Sequence, residues 1–299
     1  MNKHDITFDI IPPKEFSFNE CLTFLGRSDQ ELLHRIYHQS VYKALKIKDQ
    51  IVLFRFSEVN DRIRVERLLG TLSPHPQKVI ERYIRDLFDL DRDLAPFYKI
   101  ASDDPILFEL VKKYYGYRVI GIPDLFEAMI WAIIGQQINL TFAYRLKQRF
   151  VENFGEKVVW RDMHVWLFPK PEKIAALNVM DLKKLQFTRR KAEYIIGFAQ
   201  MIASGKMSKA LLQDKSYEEL KHILTTLRGV GNWTADYVIM RCFNHLDALP
   251  IADVGLQRAL GQQLGLNRKA TTTEIKEHAA SWNGWEAYAT FYLWRTSYD

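Results

Sequence analysis

The residues best able to do chemistry lie in two neighbouring stretches, Leu227-Arg-Gly-Val-Gly-Asn-Trp-Thr-Ala-Asp236 and Leu249-Pro-Ile-Ala-Asp-Val-Gly-Leu256. In the first, Gly229-Val230-Gly231 reads as a tight turn, because glycines tolerate positive φ and let another backbone approach closely. A helix that starts directly after such a turn presents unpaired N–H groups and the positive end of its dipole, a place for an anion, with phosphate the natural guest. In the second, Asp253 is a lone carboxylate placed after a proline break and just before a helix. Asp is a favoured N-cap residue, so the position has a purely structural reading. The same helix dipole favours the charged carboxylate, which suits stabilisation of a developing positive charge, and the two readings are compatible.

Two helices must bracket the turn. Ser216-Tyr-Glu-Glu219 has the pattern of a capping box, and Leu220, Ile223, Leu224 and Leu227 follow at helical spacing, so one helix spans about 216–227 and a second 232–243. Further helices are expected near 76–89, 104–115, 123–135, 139–153, 189–204, 254–264, 272–281 and 285–296. Ile195, Phe198, Ala199 and Ile202 mark one buried face, and Ser204-Gly205 a helix stop. The most apolar run, Phe126 to Ile134, contains Glu127 and is too short to span a membrane; it reads as a buried helix. The N-terminal stretch differs. Ile6, Phe8 and Ile10 alternate with polar residues, Ser17 to Glu20 is a second capping-box pattern opening a helix that ends near Gly26, and Val41–Ile47, Ile51–Phe56 and Ile63–Leu69 are strand-like, the last two joined by Asn60-Asp61. The fold class is therefore mainly α with a small N-terminal α+β antiparallel-sheet domain. The cluster Gly70, Ser73, Pro74 and Pro76 suggests a boundary, giving domains 1–72 and 73–299.

A chain of 299 residues is long enough for two domains and a sizeable core without staples. Its two cysteines, Cys21 and Cys242, cannot supply a four-cysteine zinc site or an iron–sulfur cluster, and they fit a reducing compartment. With no signal-type apolar core and no membrane segment, a cytoplasmic protein is expected, nucleoid-associated if bacterial. The net charge is +6 with pI about 9.1. Residues 155–230 hold fourteen Lys/Arg against eight Asp/Glu, including Lys183, Lys184, Arg189, Arg190 and Lys191, so the whole excess lies there. That is a footprint for nucleic acid, although a solvated helix face accounts for it equally well.

The two chemistry-bearing stretches resemble the helix-hairpin-helix base-excision DNA glycosylases, and within them the alkylation-repair branch, DNA-3-methyladenine glycosylase II. The shared pattern is the Gly-Val-Gly hairpin, the Trp233-Thr-Ala that follows it, and the aspartate after Pro250. Ile133-Ile-Gly-Gln-Gln-Ile138 is similar to the family's loop that enters DNA, and Trp294 matches a pocket aromatic, so the resemblance spans roughly 120–296.

The resemblance implies a role for each residue. Asp253 is the catalytic aspartate. Trp233, Tyr237 and Trp294 line the base pocket, where aromatic faces grip a flipped base and a cation–π term favours a positively charged alkylated purine; spacing alone would make them core residues. Trp282 and Trp285 are expected in the core. Gln136, Gln137 and Ile138 stand at the wedge that fills the hole left by the base, Gln137 departing from the leucine of some relatives; without the resemblance they are a polar loop. Gly229, Val230 and Gly231 contact DNA through backbone N–H groups, and the carbonyls of Thr225, Leu227 and Val230 hold a structural monovalent cation, no other cofactor being required. The strand-cutting branches carry a lysine where Trp233 stands, and the nearest lysines here, Lys221 and Lys269, read as solvated.

The function implied is a monofunctional glycosylase acting as a monomer on double-stranded DNA containing alkylated bases, with no membrane partner. Two alternatives remain: a glycosylase for other damaged bases, and a non-catalytic helix-hairpin-helix DNA-binding module, which would have no need of Asp253.

Overall fold

A computed structural model describes residues 6–71, 77–282 and 284–298. The boundary cluster's Ser73, Pro74 and Pro76 lie outside them, whereas Gly70 is described, with φ +92° in a place where a Cβ would strike the Ile51 carbonyl.

β1 (Thr7–Ile10) is followed by α1 (Phe18–Leu25), and then by β2 (Arg35–Tyr37), β3 (Ser40–Ile47), β4 (Gln50–Val59) and β5 (Arg62–Leu69). The five strands form an antiparallel sheet in the order β1-β5-β4-β3-β2. Val59 pairs with Arg62, and Asn60 and Asp61 between them both have positive φ, the geometry that a two-residue hairpin needs to match strand twist. His38 and Gln39 make the same turn between β2 and β3. At α1 only half of the capping box forms. Ser17 accepts the Glu20 amide, but the Glu20 carboxylate is drawn instead to Arg295, since a guanidinium is a stronger partner than a backbone N–H.

α2 (Gln77–Phe88), α3 (Ala95–Asp103), α4 (Pro105–Lys113), α5 (Leu125–Gly135) and α6 (Leu140–Phe154) follow. Next is a hairpin of β6 (Glu156–Trp160) and β7 (Met163–Leu167), then α7 (Pro171–Ala175), α8 (Val179–Lys183), α9 (Arg189–Ala203), α10 (Lys209–Leu212), α11 (Tyr217–Thr225), α12 (Asn232–Cys242), α13 (Val254–Gln263), α14 (Thr272–Ala279) and α15 (Glu286–Arg295). The β6–β7 hairpin, α3 and the short helices α7, α8 and α10 are not among the expected elements.

By compactness the chain divides into two units that are not contiguous in sequence. One gathers the stretch ending at Pro12 with Leu25–Ile84 and Ile133–Ser208; the other gathers Pro13–Phe24, Arg85–Ala132 and Lys209–Asp299. The expected 72/73 boundary thus falls inside a span of the sheet unit. The reason is packing: Val158 and Val165 of the unexpected hairpin share a core with Tyr42, Ala44 and Leu53 of β3 and β4. In the same unit Glu31 accepts the amides of Leu32 and Leu33 and pairs with Lys147, and Ala192, Ile195 and Ala199 bury one face of α9. In the second unit α12 and α15 are buried nearly all round, so this unit is built about two central helices. Trp282 and Trp285 are in its core, Trp282 donating to Asp104. Among the described residues no helix is long and apolar enough to cross a membrane.

Candidate active site

Asp253 is the N-cap of α13, and its Oδ1 accepts the Leu256 amide at 2.8 Å. Two indoles complete its surroundings. Trp294 Nε1, from α15, donates to Oδ1 at 2.9 Å, and Trp233 Nε1, from the first turn of α12, donates to Oδ2 at 3.0 Å. All three partners are pure donors, so the environment is complementary to a carboxylate. Counting two lone pairs per oxygen, Oδ1 is saturated and Oδ2 keeps one position open. Asp253 and Trp233 are partly exposed and Ala252 and Val254 exposed, so the carboxylate stands at the surface end of a buried aromatic wall.

That wall is Trp233, Tyr237 and Trp294. The Tyr237 ring lies 5.7 Å from Trp233 and 6.2 Å from Trp294. Tyr237 and Trp294 are only 7% and 8% exposed, so Trp233 offers most of the accessible aromatic surface. Behind Tyr237, its hydroxyl accepts the indole N–H of Trp131 at 2.8 Å and a guanidinium N–H of Arg241 at 2.6 Å. Three residues here escape sequence reasoning: Trp131, Arg241 and Gly255. A Cβ on Gly255 would lie 2.9 Å from Asp253 Oδ1 and 3.4 Å from Trp294 Nε1, so only glycine leaves the carboxylate in place. A glycine in the first turn of a helix, at a propensity cost of about 1 kcal/mol, and an arginine in the apolar run Val238-Ile-Met-Arg-Cys242 are the signals that could have found two of them.

The hairpin lies in the same unit. Gly229 has φ +89°, whereas Gly231, the N-cap of α12, is extended at φ −94° with no side-chain cap. The expected left-handed turn therefore needs only the first glycine. Gly231 is exposed, and a Cβ there would meet nothing within 4 Å. The capping box at Ser216 forms in both directions. Lys221 is not solvated as expected: it pairs with Asp236 at 3.0 Å and donates to Tyr217, whose hydroxyl donates to Asp236 at 2.8 Å, so the network ties α11 to α12. Burial pushes the Asp236 carboxyl up, with Tyr217 and Lys221 opposing it. Lys269 is exposed.

Thr225 ends α11 and Leu227 and Val230 follow, where helix carbonyls lack partners and the dipole is negative. The Leu227 carbonyl accepts the Val230 amide at 3.0 Å, which leaves it a second lone pair. Neutral oxygens of this kind fit a weakly bound monovalent cation. Among the described residues no group of three or more His, Cys, Asp or Glu could hold a metal ion. Cys21 and Cys242 are both buried, and burial pushes the Cys242 thiol up to about 12, which leaves it inert.

Gln136, Gln137 and Ile138 belong to the first unit and follow α5. Gln137 is exposed with φ +56°, Gln136 and Ile138 are partly exposed, and Asn139 caps α6 through the Phe142 amide. The Lys191 ammonium, buried and pushed down to about 8 by that burial, donates to the Ile134 carbonyl at 2.7 Å and so pins the end of α5 from which this loop leaves. Of the basic cluster, Lys183, Lys184, Arg189 and Arg190 are exposed and Lys191 is the exception.

Residues 130–284 match the HhH-GPD superfamily of base excision DNA repair proteins, and residues 10–129 match the N-terminal domain of 8-oxoguanine DNA glycosylase. The chain is 43% identical to a DNA-3-methyladenine glycosylase of Bacillus subtilis (strain 168), over 96% of this chain and 95% of that protein. It is 30% identical to DNA-3-methyladenine glycosylase 2 of Escherichia coli (strain K12), over 60% of this chain and 61% of that one. Its fold is similar to that of a 3-methyladenine DNA glycosylase from Archaeoglobus fulgidus, with TM-score 0.84 and 22% identity, covering 96% and 97% of the two chains.

Proposed function

The chain belongs to the HhH-GPD superfamily of base excision DNA repair proteins, and from that premise we propose that it is a monofunctional DNA glycosylase. It flips an alkylated base of the 3-methyladenine type out of duplex DNA and hydrolyses the N-glycosidic bond. The observation that carries this reading is the Asp253 carboxylate, held by two indoles and a helix N-terminus yet open at one lone pair of Oδ2.

An alkylated purine nucleotide carries positive charge on its base, so the base leaves readily and no strong general acid is needed. As the C1′–N bond breaks, its electron pair goes to the base and the sugar becomes oxocarbenium-like. The fixed carboxylate stabilises that cation without reorganising, the largest kind of electrostatic contribution. The open position on Oδ2 accepts a hydrogen of the attacking water and orients its oxygen toward C1′. Trp233, which bonds Asp253 and is the most accessible of the three rings, holds the base by stacking. The amides at Gly229, Val230 and Gly231 take phosphate oxygens at the start of α12, and the loop of Gln136, Gln137 and Ile138 fills the vacated stack. The carbonyls of Thr225, Leu227 and Val230 would hold a monovalent cation that adds positive charge beside the hairpin. The buried thiols fit a reducing intracellular compartment holding DNA.

The test is incubation with methylated duplex DNA. Free alkylated bases should appear while the strand stays intact until alkali is added, and borohydride should trap no protein–DNA adduct, since Trp233 offers an indole N–H and no amine. If no base is released, the non-catalytic binding module replaces this reading. The match of residues 10–129 to an 8-oxoguanine glycosylase domain favours a second reading, oxidised bases, which release of 8-oxoguanine from a defined duplex would support.

A further inference from the structure

Lys191 breaks the pattern of its own helix. It opens the buried stripe that Ile195, Phe198 and Ala199 continue on α9, a position where the spacing asks for an apolar side chain, and it is itself only 8% exposed. Taking an ammonium out of water is costly unless something compensates it. Among the described residues its nitrogen makes one hydrogen bond, to the Ile134 carbonyl at 2.7 Å, and no ion pair. Burial brings it down only to about 8, so it still carries its charge at neutral pH. The Ile134 carbonyl is one of the last four of α5, which have no partner within the helix and lie at the negative end of its dipole. The ammonium is thus a charged C-terminal cap, supplied from 57 residues away in sequence.

What it caps is the exit into Gln136, Gln137 and Ile138. Gln137 is exposed at φ +56°, a left-handed conformation that a non-glycine residue adopts only at a cost. The loop is fixed at both ends. Asn139 caps α6 through the Phe142 amide at 2.8 Å, and the start of α9 is fastened to the same α6: the Phe187 ring packs 6.0 Å from that of Phe150, and Arg149 donates to the Gln186 side chain. Thr188 then caps α9 through the Lys191 amide, so the lysine is held by its backbone as well as by its side chain. All of these residues belong to one unit. We propose that Lys191 is a positioning residue for lesion recognition: by holding the Ile134 carbonyl, its ammonium sets the 136–138 loop in the shape that fills the gap left by the flipped base. This rests on the glycosylase reading above. An apolar residue at 191 would bury the stripe at less cost but would leave the end of α5, and the loop that departs from it, without this tether.

The test separates the loop from the rest of the DNA-binding surface. Lys191→Met keeps an apolar stem and removes the charged donor. Affinity is measured for two duplexes that are alike except that one carries a tetrahydrofuran abasic analogue, which offers the gap, and the other is undamaged. Wild type should prefer the first. Lys191→Met should lose at least about fivefold of that preference, the size of one stacking contact, with its affinity for undamaged duplex unchanged. The loss should also require the loop: with Gln136→Ala, Gln137→Ala and Ile138→Ala in place, adding Lys191→Met should change abasic binding by less than about twofold. A full effect in that background would mean that Lys191 touches DNA itself, and overturns the inference. A preference kept by Lys191→Met overturns it as well, as does an equal loss on both duplexes or a wild type with no preference. Release of methylated bases by the wild type decides the glycosylase reading separately, and its absence overturns both. Should Lys191→Met not fold, Lys191→Gln, a neutral donor on a shorter stem, is judged by the same outcomes. If neither folds, Lys191 is a structural residue alone and the inference fails.

Discussion

Asp253 shows how one carboxylate can cap a helix and still keep a hydrogen-bonding position open. Oδ1 is committed to the Leu256 amide and the Trp294 indole, and Oδ2 to Trp233 with one position left over. Asp253→Asn keeps the size and the capping ability but removes the charge and turns one oxygen into an N–H2 facing a donor. Base release should fall by about 10²–10³-fold. Damaged duplex should still bind, and the melting temperature should move little, because Asn caps helices about as well as Asp. A variant that released bases at the wild-type rate would remove Asp253 from the chemistry. Gly255→Ala separates stability from function at the neighbouring position. Alanine is the better helix former by about 1 kcal/mol, and disturbing the Asp253 cap costs about as much, so thermal stability should change little. Yet the new Cβ, 2.9 Å from Oδ1, must displace the carboxylate from its donors, and release should fall at least about tenfold if the preorganised geometry matters. Unchanged kinetics in a stable Gly255→Ala protein would show that the position of the carboxylate is not critical.

At the scale of elements, the hairpin between α11 and α12 is held by a partly buried polar network, Tyr217–Lys221–Asp236, and its two glycines do different work. Gly229 needs positive φ, so Gly229→Ala should cost about 1–2 kcal/mol of stability. Gly231 is extended with open space where a Cβ would go, so Gly231→Ala should leave the melting temperature unchanged. If phosphate docks there, the methyl group still intrudes, and affinity for damaged and undamaged duplex should fall together, with a shallower dependence on salt. Full affinity in the Gly231→Ala protein would make the hairpin an internal turn. The contrast also marks what sequence can reveal. Caps and periodicity locate α11, α12 and α13, and the Asn60-Asp61 turn locates β4–β5, because each signal is local. The β6–β7 hairpin escapes because its turn, Arg161-Asp162, lacks the usual Asn-Gly type of signal and its strands are stabilised by β3 and β4, distant in sequence. For the same reason Asp253 and its aromatic wall can be named from motifs, while the donors Trp131 and Arg241 emerge only once α5 and α12 are packed.

For the whole molecule, acid stability should depend on a small charged cluster far along the chain from the hairpin. Burial pushes the His34 imidazole down to about 4, with Lys43 and Lys147 acting in the same direction, and Glu31 and a hydrogen bond to the Leu25 carbonyl at 2.9 Å opposing them. Below its ordinary value near 6.5 the unfolded chain binds a proton that the folded protein refuses until about pH 4. Stability is therefore intact above about pH 6.5, falls as pH drops toward 4, and receives no further penalty from this group below that. At about 1.4 kcal/mol per unit, the loss should reach up to about 3 kcal/mol. Glu31 acts lower in pH. Although burial raises its carboxyl, Lys147, the nearby His34 and the Leu33 amide together hold it well below the usual carboxylate range. Its contribution is present above the ordinary carboxylate value, about 4.3, and is lost as pH falls beneath it. The two groups thus divide the acid limb into an upper and a lower segment. His34→Gln, which can still donate to Leu25 but does not titrate, should flatten the upper segment and, because it removes a charge that helps hold the Glu31 carboxyl down, make the lower one shallower. Denaturant unfolding from pH 7.5 to 3.5 would measure both limbs for each protein. Parallel profiles between pH 6.5 and 4 would show that His34 contributes no proton linkage and that the upper limb has another source.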